Sequence, residues 1–369
     1  MKLLVLSSKT GGGHEMRAQA ISEFCEVLNI NCQIHRPLEE GSLIYFFGTN
    51  IYNWIQRFYP RLHSVYFKFL EHASIHSSKN FIIGKKSFQL KVKSFAPDAV
   101  ISVHAHLNHG YREIIRELYL KSPPQFMIYS GELDDGKGFS KHWINTEAEL
   151  FCGPTDKTIL AAIKRGMPAN RCKVLGPLLR QTFYKKSTQQ QKQSFVKRHQ
   201  LNTSLPIGLL ATGANGVNSH EMALRGVDMS KVKYQIIALC GKSNSLSERI
   251  RHVSRRYNFP IIPLAHIGAE DICTLLSLSK WVFGRAGAGL TTEALTTGTE
   301  IMFDATKGIM PQEQNNLNYF KNAGYHPRLV NSASAFSNFI SKGINRTDLK
   351  LKTDPELISQ TILGLLQKK

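Results

Sequence analysis

The 369-residue chain is 42% apolar and carries a net charge of +20, from 47 Lys and Arg against 27 Asp and Glu. That length calls for two globular domains, and no run of 18 apolar residues offers a transmembrane helix. The basic excess is spread over both halves, so it is no charged tail, and its ordinary partners are nucleic acid or an anionic membrane surface.

The N-terminal apolar stretch is too short for a signal peptide and predicts a buried parallel strand over 3–6. Thr-Gly-Gly-Gly-His at 10–14 follows, then a helix over 15–28 with Ala18, Ile21, Phe24, Cys25 and Leu28 on one face. A glycine-rich loop between strand and helix is where an open α/β sheet holds a ligand, although an unliganded tight turn has the same composition. No Gly-Lys-Ser/Thr closes this loop, so it is not a P-loop. Residues 43–93 interleave aromatic side chains such as Tyr45, Trp54, Phe67 and Phe88 with eight basic residues and one acid, Glu71. Rings and cations in that mixture suit a lipid headgroup layer. Ordinary core is the competing reading; single-stranded base stacking is another, with no nucleic-acid module to support it.

A strand over 99–103 ends in His104, His106 and His109. Three histidines raise the question of a metal, but no Cys or carboxylate is adjacent, so no metal is expected. Further strands are predicted over 126–130, before Gly131-Glu132-Leu133-Asp134-Asp135, and over 150–154, before a helix at 156–164. Polar residues 185–202 read as a linker leading into a second domain. That domain opens with a strand at 207–211 and a glycine turn at 212–216, and continues with a strand at 234–239 and a helix in 266–278. The six cysteines lie apart, without any Cys-x-x-Cys, and predict reduced thiols.

The densest signal is 281–324. A short strand runs into Gly284, Gly287 and Gly289, then a helix over 291–297 with Glu293 in its first turn. Helix-start amides favour a phosphate. Glu293 is itself negative and suits a ribose diol instead. The polar cluster 311–316, Pro-Gln-Glu-Gln-Asn-Asn, suits a sugar ring. Together these are partners for a nucleotide-sugar; a plain βα unit is the alternative. Closing helices are predicted over 334–341 and 355–366.

The glycine turn, the helix-start Glu and the Gln-Glu-x-x-Asn cluster (Gly287, Glu293, Gln312, Glu313, Asn316) resemble the donor half of GT-B glycosyltransferases. The similarity is to those related to monogalactosyldiacylglycerol synthases and the peptidoglycan N-acetylglucosaminyl transferase. Ser-x-x-Thr-Gly-Gly-Gly-His at the N-terminus, the strand-end His104 with His109, Gly176-Pro177 leading to Arg180, and Cys240-Gly241-Lys242 resemble further motifs of that family in the same order. The resemblance implies an α/β GT-B fold, two Rossmann-like domains facing across a cleft. Residues 1–182 would bind acceptor and membrane, 183–203 would link, 204–345 would bind the nucleotide-sugar, and 346–369 would close the fold. It also implies an inverting transfer of galactose or glucose from a UDP-sugar to a lipid hydroxyl, diacylglycerol first, on the cytoplasmic face of a membrane met through 43–93. Arg180, Gly213, Gly287, Gly289, Glu293, Gln312, Glu313 and Asn316 would hold the donor. Gly11, Gly12, Gly13, His104, His109 and Asp134 would hold the acceptor, with His14 as first choice of general base, or His104, His109 or Asp134 in its place if His14 only orders the loop, and no metal, other cofactor or nucleic acid. The chain departs from the family at Gly298-Thr299-Glu300, where Gly-x-Pro is usual, at Lys280, and in lacking a Gly before Gln312. Ser130-Gly131-Glu132 stands where the family has Thr-Asp. Another lipid or glycan acceptor, a UDP-sugar 2-epimerase and a non-catalytic nucleotide-sugar module remain as alternatives.

Overall fold

The computed structural model describes residues 1–9, 12–41, 71, 82, 84–211, 219–241, 243–343 and 348–367. Two six-stranded parallel sheets organise the chain. The first contains β1 (Lys2–Leu6), β2 (Asn31–His35), β3 (Ala99–Ser102), β4 (Gln125–Tyr129), β5 (Leu150–Gly153) and β6 (Cys172–Val174), in the order β2-β1-β3-β4-β5-β6. The second contains β7 (Ile207–Leu210), β8 (Gln235–Leu239), β9 (Ile261–Leu264), β10 (Ser279–Gly284), β11 (Glu300–Asp304) and β12 (Arg328–Val330), in the order β12-β11-β10-β7-β8-β9. The helices are α1 (Gly12–Val27), α2 (Pro37–Gly41), α3 (Lys85–Phe95), α4 (Tyr111–Leu118), α5 (Asp156–Lys164), α6 (Gln189–Arg198) and α7 (His220–Ser230), then α8 (Asn244–Ser254), α9 (Ala269–Leu278), α10 (Ala288–Thr297), α11 (Pro311–Asn322), α12 (Ala333–Ser341) and α13 (Pro355–Gln367). This is the GT-B architecture.

Parallel strands need cover on both faces, which is why the central strands are apolar on both. Leu4 and Leu6 of β1 join Val100, Phe126 and Phe88 in one core, while Leu3 and Val5 join Ala18, Ile21 and Phe24 of α1 in another. Ile358 and Ile362 of α13 enter that second cluster, so the end of the chain crosses back onto the first sheet.

Each sheet changes direction once. After β1 the chain moves to one side and returns to β3 on the other; after β7 and β9 it returns to β10 in the same way. Such switch points leave a crevice at the carboxyl ends of the flanking strands. The glycine-rich start of α1 after β1 and the glycine turn 284–288 after β10 both lie there.

Several sequence expectations are corrected. α1 starts at Gly12, so Gly12, Gly13 and His14 form its first turn rather than a loop. α10 starts at Ala288, because Ala and Leu continue the helix and the Thr291 hydroxyl donates to the Gly287 carbonyl at 2.9 Å; Glu293 therefore lies in the second turn. Phe88 of the aromatic–basic segment is core, stacked 5.7 Å from His35. Apart from 71, 82 and 84–93, that segment lies outside the described residues. No described helix is long and apolar enough to cross a membrane. All six cysteines are free thiols.

Candidate active site

The first turn of α1 brings His14 to the end of β3. Its Nδ1 lies 2.7 Å from the Val103 carbonyl, so Nδ1 carries the hydrogen and Nε2 keeps the lone pair. The ring meets His104 edge-on at 4.5 Å and lies 6.3 Å from Trp143. The row continues through His106, His142 and His109, with successive ring centroids 5.6, 4.7 and 6.5 Å apart. Among the described residues no group of side chains could hold a metal ion. Burial, reinforced by the Arg17 charge, pushes His14 down to about 3, and burial also lowers His109.

Arg17 was not foreseen as a site residue. It is only 7% exposed, and its guanidinium donates to the Gly131 carbonyl at 3.3 Å. A Cβ on Gly131 would fall 1.8 Å from the Arg17 Cζ, so the missing side chain at 131 is the slot the guanidinium fills.

On the second sheet, Gly287 has open space where a side chain would stand. A Cβ on Gly289 would touch Met16 of α1 at 3.4 Å, so the two helix starts meet across the cleft. Glu293 is 7% exposed and takes the Arg180 Nη2 at 2.7 Å, while Arg180 also lies 5.3 Å over the Phe183 ring. Burial raises the Glu293 carboxyl, and Arg180 counters it. The two residues assigned to ribose and phosphate are thus side by side.

Glu313 faces inward. It is 2% exposed and bound by Arg285 through Nε at 3.0 Å and Nη2 at 2.5 Å, and it also accepts from the Met310 amide at 2.9 Å. Arg285 donates further to the Gly308 carbonyl at 2.8 Å. The carboxylate therefore ties the loop after β11 to the glycine turn. Asn316 reinforces the turn by donating to the Ala286 carbonyl at 2.7 Å, and Gln312 is half-buried at the start of α11. Asp304, at the end of β11, accepts from Ser219 at 2.7 Å and from Thr306, joining the loops that follow β7 and β11. Arg285 and Asp304 were missed; an Arg inside the glycine turn was the available signal.

The domains also meet along α11. Asn315 donates to Glu132 Oε2 at 3.0 Å, Asn318 to the Asp135 carbonyl at 3.3 Å, and Asn322 to Asp134 Oδ2 at 2.9 Å. Asp134, expected at the acceptor, is thus engaged by Asn322 and by the Asp135 amide at 2.7 Å. Gly11 and Gly213 lie outside the described residues.

No family model matches the chain. Among curated proteins it is 23% identical over 337 residues to a probable monogalactosyldiacylglycerol synthase of Glycine max, covering 86% of this chain and 60% of that protein. It is 22% identical over 330 residues to the processive diacylglycerol beta-glucosyltransferase of Bacillus licheniformis, covering 87% and 81%. The chain therefore spans about 60% of the length of the plant relatives it matches. Among solved structures, MurG of Acinetobacter baumannii superposes with a TM-score of 0.58 at 14% identity, over 100% of this chain and 99% of that one. The UDP-GlcNAc 2-epimerase of Methanocaldococcus jannaschii superposes with 0.55 at 11% identity, over 100% of both. The chain has the GT-B fold and resembles the monogalactosyldiacylglycerol synthases and diacylglycerol glucosyltransferases along most of its length.

Proposed function

We propose that this protein is an inverting glycosyltransferase that moves a galactose or glucose from a UDP-sugar to the hydroxyl of a membrane lipid, 1,2-diacylglycerol first. The observation that carries the reading is the meeting of the two helix starts at the Met16–Gly289 contact, one from each switch point. That seam has His14 on one side and the Arg180–Glu293 pair on the other. The names of the sequence relatives support a diacylglycerol acceptor and a hexose.

The UDP diphosphate lies against the open amides at Gly287, where a fixed dipole stabilises the charge that develops as the leaving group departs. Arg180 turns from Glu293 to the phosphates and frees the carboxylate for the ribose diol. Gln312 borders the sugar, while Asn316 braces the glycine turn through Ala286 and Glu313 fixes the loop through Arg285. The acceptor enters beside His14, His104 and His109, and the neutral Nε2 of His14 receives its hydroxyl. No metal is needed, since helix dipole and guanidinium supply the positive charge. The basic residues of 43–93 and its aromatic residues other than the core Phe88 hold the protein to an anionic bilayer on its cytoplasmic side.

An epimerase shares the fold, so the fold does not separate the two readings; the sequence relatives favour transfer. The deciding experiment offers UDP-glucose, UDP-galactose or UDP-N-acetylglucosamine with vesicles containing diacylglycerol, with and without anionic lipid. A glycolipid product supports the reading and names the sugar. A C2-inverted UDP-sugar without glycolipid would replace it with the epimerase.

A further inference from the structure

Glu132 and His14 share two neighbours, Arg17 and Trp143, at the seam between the domains. The backbone of Glu132 is pinned: its N–H donates to Ser130 Oγ at 3.4 Å, and its carbonyl accepts the Thr158 hydroxyl. Its carboxylate reaches the opposite domain, where Asn315 donates at 3.0 Å, and it also accepts the Trp143 indole N–H. Arg17, in its slot over Gly131, is the charged group that acts on it. The two acids that follow are engaged elsewhere, Asp134 with Asn322 and Asp135 with Arg165 at 2.6 Å. Glu132 is the carboxylate of this stretch that shares the surroundings of His14.

We propose that Glu132, and not His14, retains the proton released by the acceptor hydroxyl, while His14 orients that hydroxyl through Nε2. The proposal rests on reading the chain as a glycosyltransferase. The acceptor oxygen bonds to the anomeric carbon as the bond from that carbon to the diphosphate oxygen breaks. UDP leaves with the electron pair, and the hydroxyl proton, held at His14 Nε2 by the orienting hydrogen bond, passes on from there to the Glu132 carboxylate. The group that keeps the proton must bind it better than its rival does. Burial and the Arg17 charge push His14 down to about 3, against a weaker opposing effect of the Val103 hydrogen bond. Burial pushes Glu132 up, and its bonds to Asn315 and Trp143 together with the Arg17 charge recover only part of the shift. The ordinary order of imidazole above carboxylate is brought towards inversion at this seam.

The test is kcat/KM from about pH 4.5 to 8 for the parent and for Glu132→Gln, Glu132→Asp and His14→Gln. UDP release and glycolipid are followed together, and UDP binding is measured as a folding control. The parent shows an acid limb above the ordinary carboxylate value. Glu132→Gln loses that limb and about a hundredfold or more in turnover while still binding UDP, and Glu132→Asp keeps a limb. His14→Gln slows turnover and leaves the limb in place. A limb that survives in Glu132→Gln and vanishes in His14→Gln overturns the proposal, as does a Glu132→Gln enzyme that turns over like the parent. UDP release without glycolipid counts against the lipid acceptor alone; the same variants then read the proton step with water as acceptor.

Discussion

Arg285 and Glu313 are both nearly buried and each satisfies the other, so neither can be removed singly without stranding a charge. Losing one partner of a buried pair costs about 3–5 kcal/mol, mostly because the remaining charge stays desolvated. Arg285→Met is therefore expected to lower the urea midpoint strongly, and adding Glu313→Leu should restore much of the loss. A single variant that melts like the parent would show that this pair does not hold the loop. Glu293 is different, because in the proposed function its partner Arg180 turns to a phosphate when UDP binds. Glu293→Ala should weaken UDP binding by about 1–3 kcal/mol, the value of the lost ribose hydrogen bonds; unchanged affinity by calorimetry removes that role. Both glutamates were visible in the sequence as acids near a glycine turn. What each one binds was not, because the answer depends on Arg285 folding inward and on Arg180 arriving from the other domain.

Helix α11 presents Asn315, Asn318 and Asn322 on one face, at spacings of three and four residues. These reach the 132–135 loop, and close by, a Cβ on Gly138 would fall 2.0 Å from the Pro311 carbonyl oxygen. Both partners there are backbone, so Gly138→Ala must push the start of α11 and the loop carrying residue 138 apart. Displacement by about 1 Å is enough to lose on the order of 10²-fold in turnover, with faster hydrogen exchange over 311–322 as its independent signature. Full activity would mean that this contact does not position the sugar end of the donor site. The central strands and both glycine turns were legible because a buried parallel strand is a continuous apolar run. The unforeseen β2, β9 and β12 are all edge strands, where half-exposed positions break the run into a pattern that resembles loop. The asparagine face was equally silent, since an amide row reads as polar surface until a second domain lies against it.

For the molecule as a whole, the buried neutral histidines set how stability responds to acid. His220 is buried with Nε2 2.9 Å from the Leu239 carbonyl, and burial pushes it down to about 4; His14 is pushed to about 3. An unfolded histidine titrates near 6.5. Between those values the unfolded chain binds more protons than the folded one, so stability falls as pH drops. The full contribution is present above about 6.5, and each histidine removes about 1 kcal/mol over the first pH unit below it. Glu132, Glu293 and Glu313 act in the opposite sense, because their raised folded values make the native state take protons first. They take up protons between their raised folded values and the ordinary one near 4.5, so they offset part of the histidine loss where the two windows overlap. The net charge of +20 grows as acids are neutralised and adds self-repulsion to the loss. Urea midpoints taken at about pH 7.5 and 5.5 should therefore differ by the equivalent of about 2 kcal/mol, with the lower value in acid. His220→Gln keeps a donor for the Leu239 carbonyl without a titrating ring and should reduce the difference. A parent whose stability is level or rises over that interval would mean that the two imidazoles take up protons without unfolding, and that the crevice around His14 admits a positive charge.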